Sequence, residues 1–332
     1  MVQPIWIGKF VACRSRALRK YLDVVSVGGS SPVPKIAVII PCFNEELTIG
    51  KVVADFRREL PVAEILVFDN NSTDKSAELA LKAGAVVIPS PRPGKGAVIR
   101  QAFRETEADV YLLVDGDDTY PPEECHKLLS AIAGGADLAV GDRISHGHYS
   151  KENKRPLHNL GNAIVCKSIN LLFRTRIRDA MSGYRAMSRR FVKNCPILVD
   201  GFAIETAMTI HAIDKLFRLE EFPVSYRDRP PGSVSKLNTL TDGVIVLRSI
   251  LWIFKDSKPL VFFGLLSLVQ LAVFGGITIW QLLDRRSGPV TSPLGIDLVA
   301  TAVVTLCAGF ILDTMAKYRR EEFETNLIKD AP

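Results

Sequence analysis

The sequence predicts an α/β domain built on a central, mostly parallel sheet, followed by a C-terminal hairpin of two transmembrane helices. Three observations carry this. Between Lys35 and about residue 145, apolar runs of strand length alternate with stretches whose apolar residues recur at helical spacing. Acidic and polar residues stand just after the strand runs, where open parallel sheets bind their ligands. From Pro259 to Leu283 the chain runs 25 residues without a charge, enough at about 1.5 Å per residue to cross a hydrocarbon core of about 30 Å.

Composition narrows the function classes. The 332 residues suffice for one large or two modest domains with a full core. Most of the net charge of +6 sits in residues 1–35, where Lys9, Arg14, Arg16, Arg19, Lys20 and Lys35 face only Asp23. The remainder is nearly neutral, which argues against a nucleic-acid-binding surface. The six cysteines form no CxxC pair and no zinc spacing, and read as small buried hydrophobes in a reducing compartment.

Residues 1–34 hold no apolar run long enough for a secretory signal and end in the breaker cluster Gly28–Pro32. They form a basic extension, either flexible or laid on an anionic membrane surface through Trp6, Ile7, Phe10 and Val11; a transit peptide also fits. The first strand, Ile36–Ile40, ends at Pro41-Cys42-Phe43-Asn44. Asn44 is expected to cap a helix carrying Ile49, Val52, Val53, Phe56 and Leu60. A second strand, Ile65–Phe68, ends in Asp69-Asn70-Asn71-Ser72, with Ser72 capping a helix to about Ala83. A third, Ala85–Ile88, leads through Pro91 and Pro93 into Gly94-Lys95-Gly96 and a helix to about Glu105. Val110–Val114 is the fourth strand; a helix from Pro122 to about Ala133 and a fifth strand at Leu138–Val140 follow.

The fourth strand runs into Asp115, Asp117 and Asp118. Three acids in four residues repel one another unless a cation or hydrogen bonds offset the charge. Asp118 and Thr119 serve equally well as cap residues, but the spaced pair Asp115 and Asp117 suits one hard cation, Mg2+ or Mn2+. Glu45, Asp69, Lys95, Asp115 and Asp117 thus converge on one crevice. There Asp69 could accept a hydrogen bond from a base or ribose, and Lys95 could meet a phosphate. The chain lacks both GxGxxG after its first strand and a GxxxxGK[ST] loop, so dinucleotide dehydrogenases and P-loop enzymes are disfavoured.

Taken as a set, Ile39 to Glu45, Asp69 to Asp74, Gly94-Lys95-Gly96 and Asp115-Gly116-Asp117 resemble the GT-A fold of family 2 inverting glycosyltransferases over about residues 35–145. The pattern departs from that family at Asn70-Asn71, where many relatives carry an acid and a glycine. Asp179-Ala180-Met181-Ser182-Gly183-Tyr184-Arg185 and Arg229 to Lys236 are similar to segments of the dolichyl-phosphate mannose synthase and polyprenyl-phosphate glycosyltransferase branch. The QxxRW stretch of processive synthases is absent.

The resemblance implies metal-dependent inverting transfer of a hexose from a nucleotide diphosphate sugar of the GDP-mannose or UDP-glucose type. The acceptor it implies is a polyprenyl phosphate of dolichyl or undecaprenyl type. It assigns Asp115 and Asp117 to metal and pyrophosphate. Asp69, Pro41, Phe43, Glu45 and Lys95 go to the nucleotide sugar. Arg229, Ser235 and Lys236 go to the lipid phosphate, with Arg143 and Arg155 as further candidates. Asp179 is the nearest residue to a base for a hydroxyl acceptor, and equally a hydrogen-bond partner for an arginine or for the Ser182-Gly183 turn. Two alternatives stand beside this reading: the same fold with a hydroxyl acceptor, and a non-catalytic membrane nucleotide-binding scaffold.

Domain expectations follow. Residues 35–237 form the catalytic domain. Residues 238–258 form an amphipathic juxtamembrane helix through Val244, Leu247, Ile250, Leu251 and Phe254. Transmembrane helices cover 259–283 and 294–316, and 317–332 is a tail. Lys255, Lys258, Lys317, Arg319 and Arg320 flank the open ends against Arg285 and Arg286 in the turn, which places the catalytic domain and both termini in the cytoplasm. Contacts through the hairpin leave a homo-oligomer open.

Overall fold

The apolar run at Ile36 forms β1 (Ile36–Cys42), with every residue but Pro41 buried. The computed structural model describes residues 34–145, 156–197, 199, 203–232, 239–283 and 293–329. β1 pairs in parallel with β2 (Glu64–Asp69) on one side and β4 (Val110–Leu113) on the other, and β3 (Val86–Pro89) continues beyond β2. Strands covered on both faces read as unbroken apolar runs, which is why these were visible in the sequence. The register sets Cys42 opposite Asp69 and Asp69 opposite Pro89, so the carboxyl ends of three strands lie level.

With β5 (Leu138–Asp142), β6 (Arg185–Ser188) and β7 (Leu219–Pro223) the seven-stranded sheet has the order β3-β2-β1-β4-β6-β5-β7. β5 is parallel to β7, but β6 lies antiparallel between β4 and β5. The expected mostly parallel sheet is therefore present, with one antiparallel strand and one further strand that the sequence pattern did not mark. Four residues of mixed polarity carry no periodic signal, so β6 had none to show. Its direction matters for the site: Arg185 stands opposite both Leu113 and Val140, so the segment before it is delivered to the carboxyl end of β4.

The helices are α1 (Ile49–Glu59), α2 (Ser76–Lys82), α3 (Lys95–Glu105), α4 (Cys125–Ala133) after one 3-10 turn, α5 (Pro156–Phe173), α6 (Arg189–Lys193) and α7 (Ile204–Asp214). Val52, Val53 and Phe56 of α1 and Leu128, Leu129 and Ile132 of α4 share one buried cluster with Val38, Ile40, Leu112 and Val114. Two expected caps are corrected. Asn44 has a left-handed backbone, φ 52°, and its Oδ1 accepts from the Thr73 backbone N–H at 2.8 Å. Ser72 Oγ accepts from the Asn44 N–H at 3.0 Å. Both residues brace one strand-end loop against the other instead of starting helices. α1 begins after Thr48, whose hydroxyl donates to the Gly116 carbonyl at 2.7 Å, and α2 begins at Ser76, whose hydroxyl accepts from the Glu45 N–H at 2.7 Å. The loops above the sheet are therefore interlocked by short polar side chains.

Cys42, Cys125, Cys166 and Cys195 are buried in this unit, and burial pushes the Cys42 thiol up to about 12. They behave as hydrophobes.

The chain divides into two units, Met1–Leu247 and Arg248–Pro332, and α8 (Thr239–Ser257) runs through the division. In the second unit α9 (Pro259–Leu283) and α10 (Pro293–Lys329) pack antiparallel. A Cβ at Gly309 would come within 2.9 Å of Phe263 Cβ, and Ser267 Oγ donates to the Ala302 carbonyl at 2.9 Å. Both helices are long and apolar enough to cross a membrane, and Leu268, Val269, Trp280, Val304 and Ile311 face outward. Where a tail was expected from residue 317, α10 continues to Lys329. That stretch has no Gly or Pro to stop it, Lys317 pairs with Asp313 one turn earlier at 3.0 Å, and Arg320 donates to the Ser257 carbonyl at 2.5 Å.

Candidate active site

The acids after β4 separate by partner. Asp115 Oδ1 lies 2.5 Å from Lys95 Nζ, which also reaches Glu205 Oε1 at 2.6 Å. Lys95 opens α3 directly after Gly94, whose φ of 105° suits only a residue without Cβ. Burial opposes the Lys95 charge, but Asp115 and Glu205 outweigh it and raise its pKa. Asp117 Oδ1 accepts from Thr119 Oγ1 at 2.6 Å, and its Oδ2 sits 2.6 Å from Arg229 Nη2. The other arm of Arg229 stands 3.3 Å from Glu45 Oε1. Burial and the Asp115 charge push the Asp117 pKa above its ordinary value, against the pull of Arg229. Asp118 is drawn instead to Lys51 of α1, 2.7 Å away.

At the end of β2, Asp69 Oδ2 accepts weakly from the Ser72 N–H at 3.3 Å. Its Oδ1 is buried with no hydrogen-bond partner among the described residues. A buried carboxylate oxygen left so is costly. The departure at Asn70-Asn71 has a structural reason. Asn70 Nδ2 donates to the Ser90 and Arg92 carbonyls at 2.7 and 2.6 Å, and its Oδ1 accepts from the Gly94 N–H at 2.8 Å. This one side chain clamps the loop that delivers Lys95. Pro41 is half-buried and Phe43 exposed at the end of β1.

Asp179 is fully buried and forms a bidentate pair with Arg143, Nε at 2.7 Å and Nη2 at 2.9 Å. Asn162 Nδ2 and the Met181 N–H each add a bond at 3.2 Å. Burial disfavours its charge, but Arg143 and these donors win and hold the carboxyl below its ordinary value. Arg143 is thus engaged; it also lies 5.5 Å above the Tyr226 ring, which meets Tyr120 edge-on at 5.3 Å. Ser235, Lys236 and Arg155 lie outside the described residues.

The sequence reading missed several contributors. Arg185 is buried and ties the Ser182 and Ala180 carbonyls to Thr209, at 2.8, 2.9 and 3.0 Å. Glu205 was passed over, although a lone acid among Ile204, Ala207 and Met208 is a visible signal. Gly183 donates its N–H to the Tyr120 hydroxyl at 3.0 Å, and a Cβ there would fall 2.4 Å from Asp115 Oδ2. Gly183→Ala must therefore displace the Asp115 carboxylate. The expected result is a fall in turnover of about 100-fold with little change in melting temperature. Unchanged turnover would show that Asp115 has freedom to move.

The arrangement suits the handling of an anionic diphosphate. Among the described residues no group of three or more His, Cys, Asp or Glu gathers around one point. The two carboxylates of the Asp115-Gly116-Asp117 turn still fit a hard divalent cation, which takes oxygen ligands and completes its shell with water and phosphate. Each already stands against a cation, Asp115 against Lys95 and Asp117 against Arg229, so the turn is a place where positive charge is favoured.

Residues 37–195 match the family described as Glycosyl transferase family 2. Glycosyltransferase AglJ of Haloferax volcanii is 29% identical over 299 residues, covering 88% of this chain and 98% of that protein. The dolichyl-phosphate hexose transferase of the same organism is 29% identical over 215 residues, 65% of this chain and 92% of its own. Among solved structures, glucosyl-3-phosphoglycerate synthase from Mycobacterium tuberculosis in complex with Mn2+ and UDP-glucose superposes with a TM-score of 0.54 at 22% identity. That match covers 70% of this chain and 82% of that one, and it shows a shared GT-A-like fold. The strand-end acids Asp69, Asp115 and Asp117 and the loop that carries Lys95 lie within the matched span, and the chain belongs to glycosyl transferase family 2.

Proposed function

We propose that this glycosyltransferase moves a hexose, with inversion, from a nucleoside diphosphate sugar to a polyprenyl phosphate at the cytoplasmic face of a membrane. The observation that carries the reading is the row of groups along the carboxyl edge of β2, β1 and β4. Asp69 holds a buried oxygen without a partner among the described residues, Lys95 an ammonium kept charged by Asp115 and Glu205, and Asp117 a carboxylate bridged by Arg229 to Glu45.

In this reading Asp69 accepts a ring N–H of the base, with Pro41, Phe43 and Glu45 bordering the nucleoside. Lys95 meets the diphosphate, whose negative charge grows as the bond to the sugar breaks. Asp115 and Asp117 would hold Mg2+ or Mn2+, which would supply positive charge against the leaving diphosphate. A lipid phosphate is largely ionised near neutral pH, its second pKa being about 6, so it attacks without a general base. Asp179, buried and paired with Arg143, favours an acceptor of that kind, since its carboxylate is engaged in orienting Arg143. Arg229 supplies cationic charge that brings two anions together, a task for which the sequence also offers Lys236, Ser235 and Arg155. In this reading α9 and α10 keep the enzyme and its lipid acceptor on one membrane, which raises the acceptor's effective concentration.

The test is incubation of detergent-purified protein with Mg2+ or Mn2+, a short polyprenyl phosphate and labelled UDP- and GDP-hexoses. Label from one donor entering the organic phase, and lost on adding EDTA, supports the reading. Label that enters only hydroxyl-bearing lipid acceptors would replace it with the alternative acceptor, and no transfer from any donor would sink it.

A further inference from the structure

We propose that Glu205 is a positioning residue of the donor site, holding Lys95 aimed at the diphosphate independently of Asp115; this rests on the donor-site reading above. Three charged side chains from three elements meet here. Lys95 Nζ stands 2.5 Å from Asp115 Oδ1 and 2.6 Å from Glu205 Oε1, with the three side chains only 12%, 26% and 4% exposed.

The need for a second acid follows from what Asp115 must do. A lysine stem has large rotamer entropy, so an ammonium stays in place only while something holds it. Asp115 belongs to the turn that receives the donor, and its charge is shared the moment a diphosphate and its cation arrive. A lysine held by Asp115 alone would be loosened at that moment. Glu205 is outside this conflict. It sits in the first turn of the eleven-residue α7, where the helix dipole favours a carboxylate, and it is the more buried of the two acids. With Glu205 in place, Lys95 keeps one partner and turns its remaining N–H groups to the phosphates.

A competing role is visible. Glu205 also lies in the field of the buried Arg185 guanidinium and could serve only as its counter-ion. The two roles separate in binding experiments without turnover. Calorimetric titration with UDP, UMP, GDP and GMP in the presence of Mn2+ reads the contribution of the distal phosphate as the affinity ratio of diphosphate to monophosphate. Glu205→Gln is expected to weaken binding of the preferred diphosphate about 10- to 100-fold while leaving the monophosphate nearly unchanged. In a Lys95→Met background the same substitution should have no further effect, because the residue it acts through is gone.

Equal losses for diphosphate and monophosphate, an undiminished loss in the Lys95→Met background, or no loss at all would each overturn the proposal. Should Glu205→Gln fail to fold, Glu205→Asp keeps the charge for Arg185 but draws it back one methylene from Lys95. Positioning predicts a reduced ratio there too, whereas a counter-ion role predicts the wild-type ratio. Wild-type protein that binds neither UDP nor GDP would instead overturn the donor-site reading, and the role of Glu205 with it.

Discussion

Asp117→Asn is expected to lower sugar transfer by about 100- to 1,000-fold while the protein stays folded. The amide retains the Oδ1 acceptor that Thr119 uses at 2.6 Å, so the turn after β4 keeps its shape. What disappears is the charge at Oδ2, where Arg229 stands at 2.6 Å. An amide N–H there faces a guanidinium that can only donate, and Arg229 falls back on Glu45, 3.3 Å from its other nitrogen. The substitution therefore removes a ligand for the cation and shifts an arginine of the anion clamp in one step. Turnover at saturating donor and melting temperature in detergent should be measured together. Activity within about threefold of wild type would take Asp117 out of the mechanism, and a large fall in melting temperature would make the loss one of folding.

Arg143→Ala is expected to cost stability more than any other single change at the site, about 3–5 kcal/mol. It leaves the Asp179 carboxylate buried, with Asn162 and two backbone N–H groups but without its counter-ion. For a domain of this size that corresponds to a fall in melting temperature of roughly 6–20 °C. Replacing both partners, Arg143→Met with Asp179→Leu, should recover much of the loss, since no charge is then left unpaired. The pH dependence has a definite sign. The folded state lowers the Asp179 pKa, so the pair's contribution is present above the unfolded value of about 3.9 and fades as pH falls below it. Wild-type protein should show this acid loss and the double variant should not. A melting temperature for Arg143→Ala within about 3 °C of wild type would mean that water reaches Asp179 when the arginine is gone.

Much of the candidate site's placement was legible because its signals are local. Asp115 and Asp117 announce themselves by crowding, and Asp69 and Lys95 by standing directly after strand runs; the structure sets all four along one edge. Asn44 and Ser72 misled for an equally local reason. Each is a good helix cap by type, but each found a partner in a loop 28 or 29 residues away, and that bond prevailed over the cap. Glu205 and Gly183 could not be assigned from spacing, because each acts on a residue far along the chain: 110 positions separate Lys95 from Glu205, and 68 separate Asp115 from Gly183.

By itself, then, the sequence determined the alternation of strands and helices, the acids at the carboxyl ends of the strands, and two spans long and apolar enough for a bilayer. These depend on periodicity, burial and charge density, which are properties of neighbouring residues. Only the tertiary structure decided that a four-residue antiparallel strand enters between β4 and β5, bringing Gly183 against Asp115. It also decided that Arg143 closes on Asp179, and that Lys95 lies between two acids rather than beside one. Those outcomes turn on which buried charges find partners, and a buried charge is satisfied by proximity in space, whatever the distance along the chain.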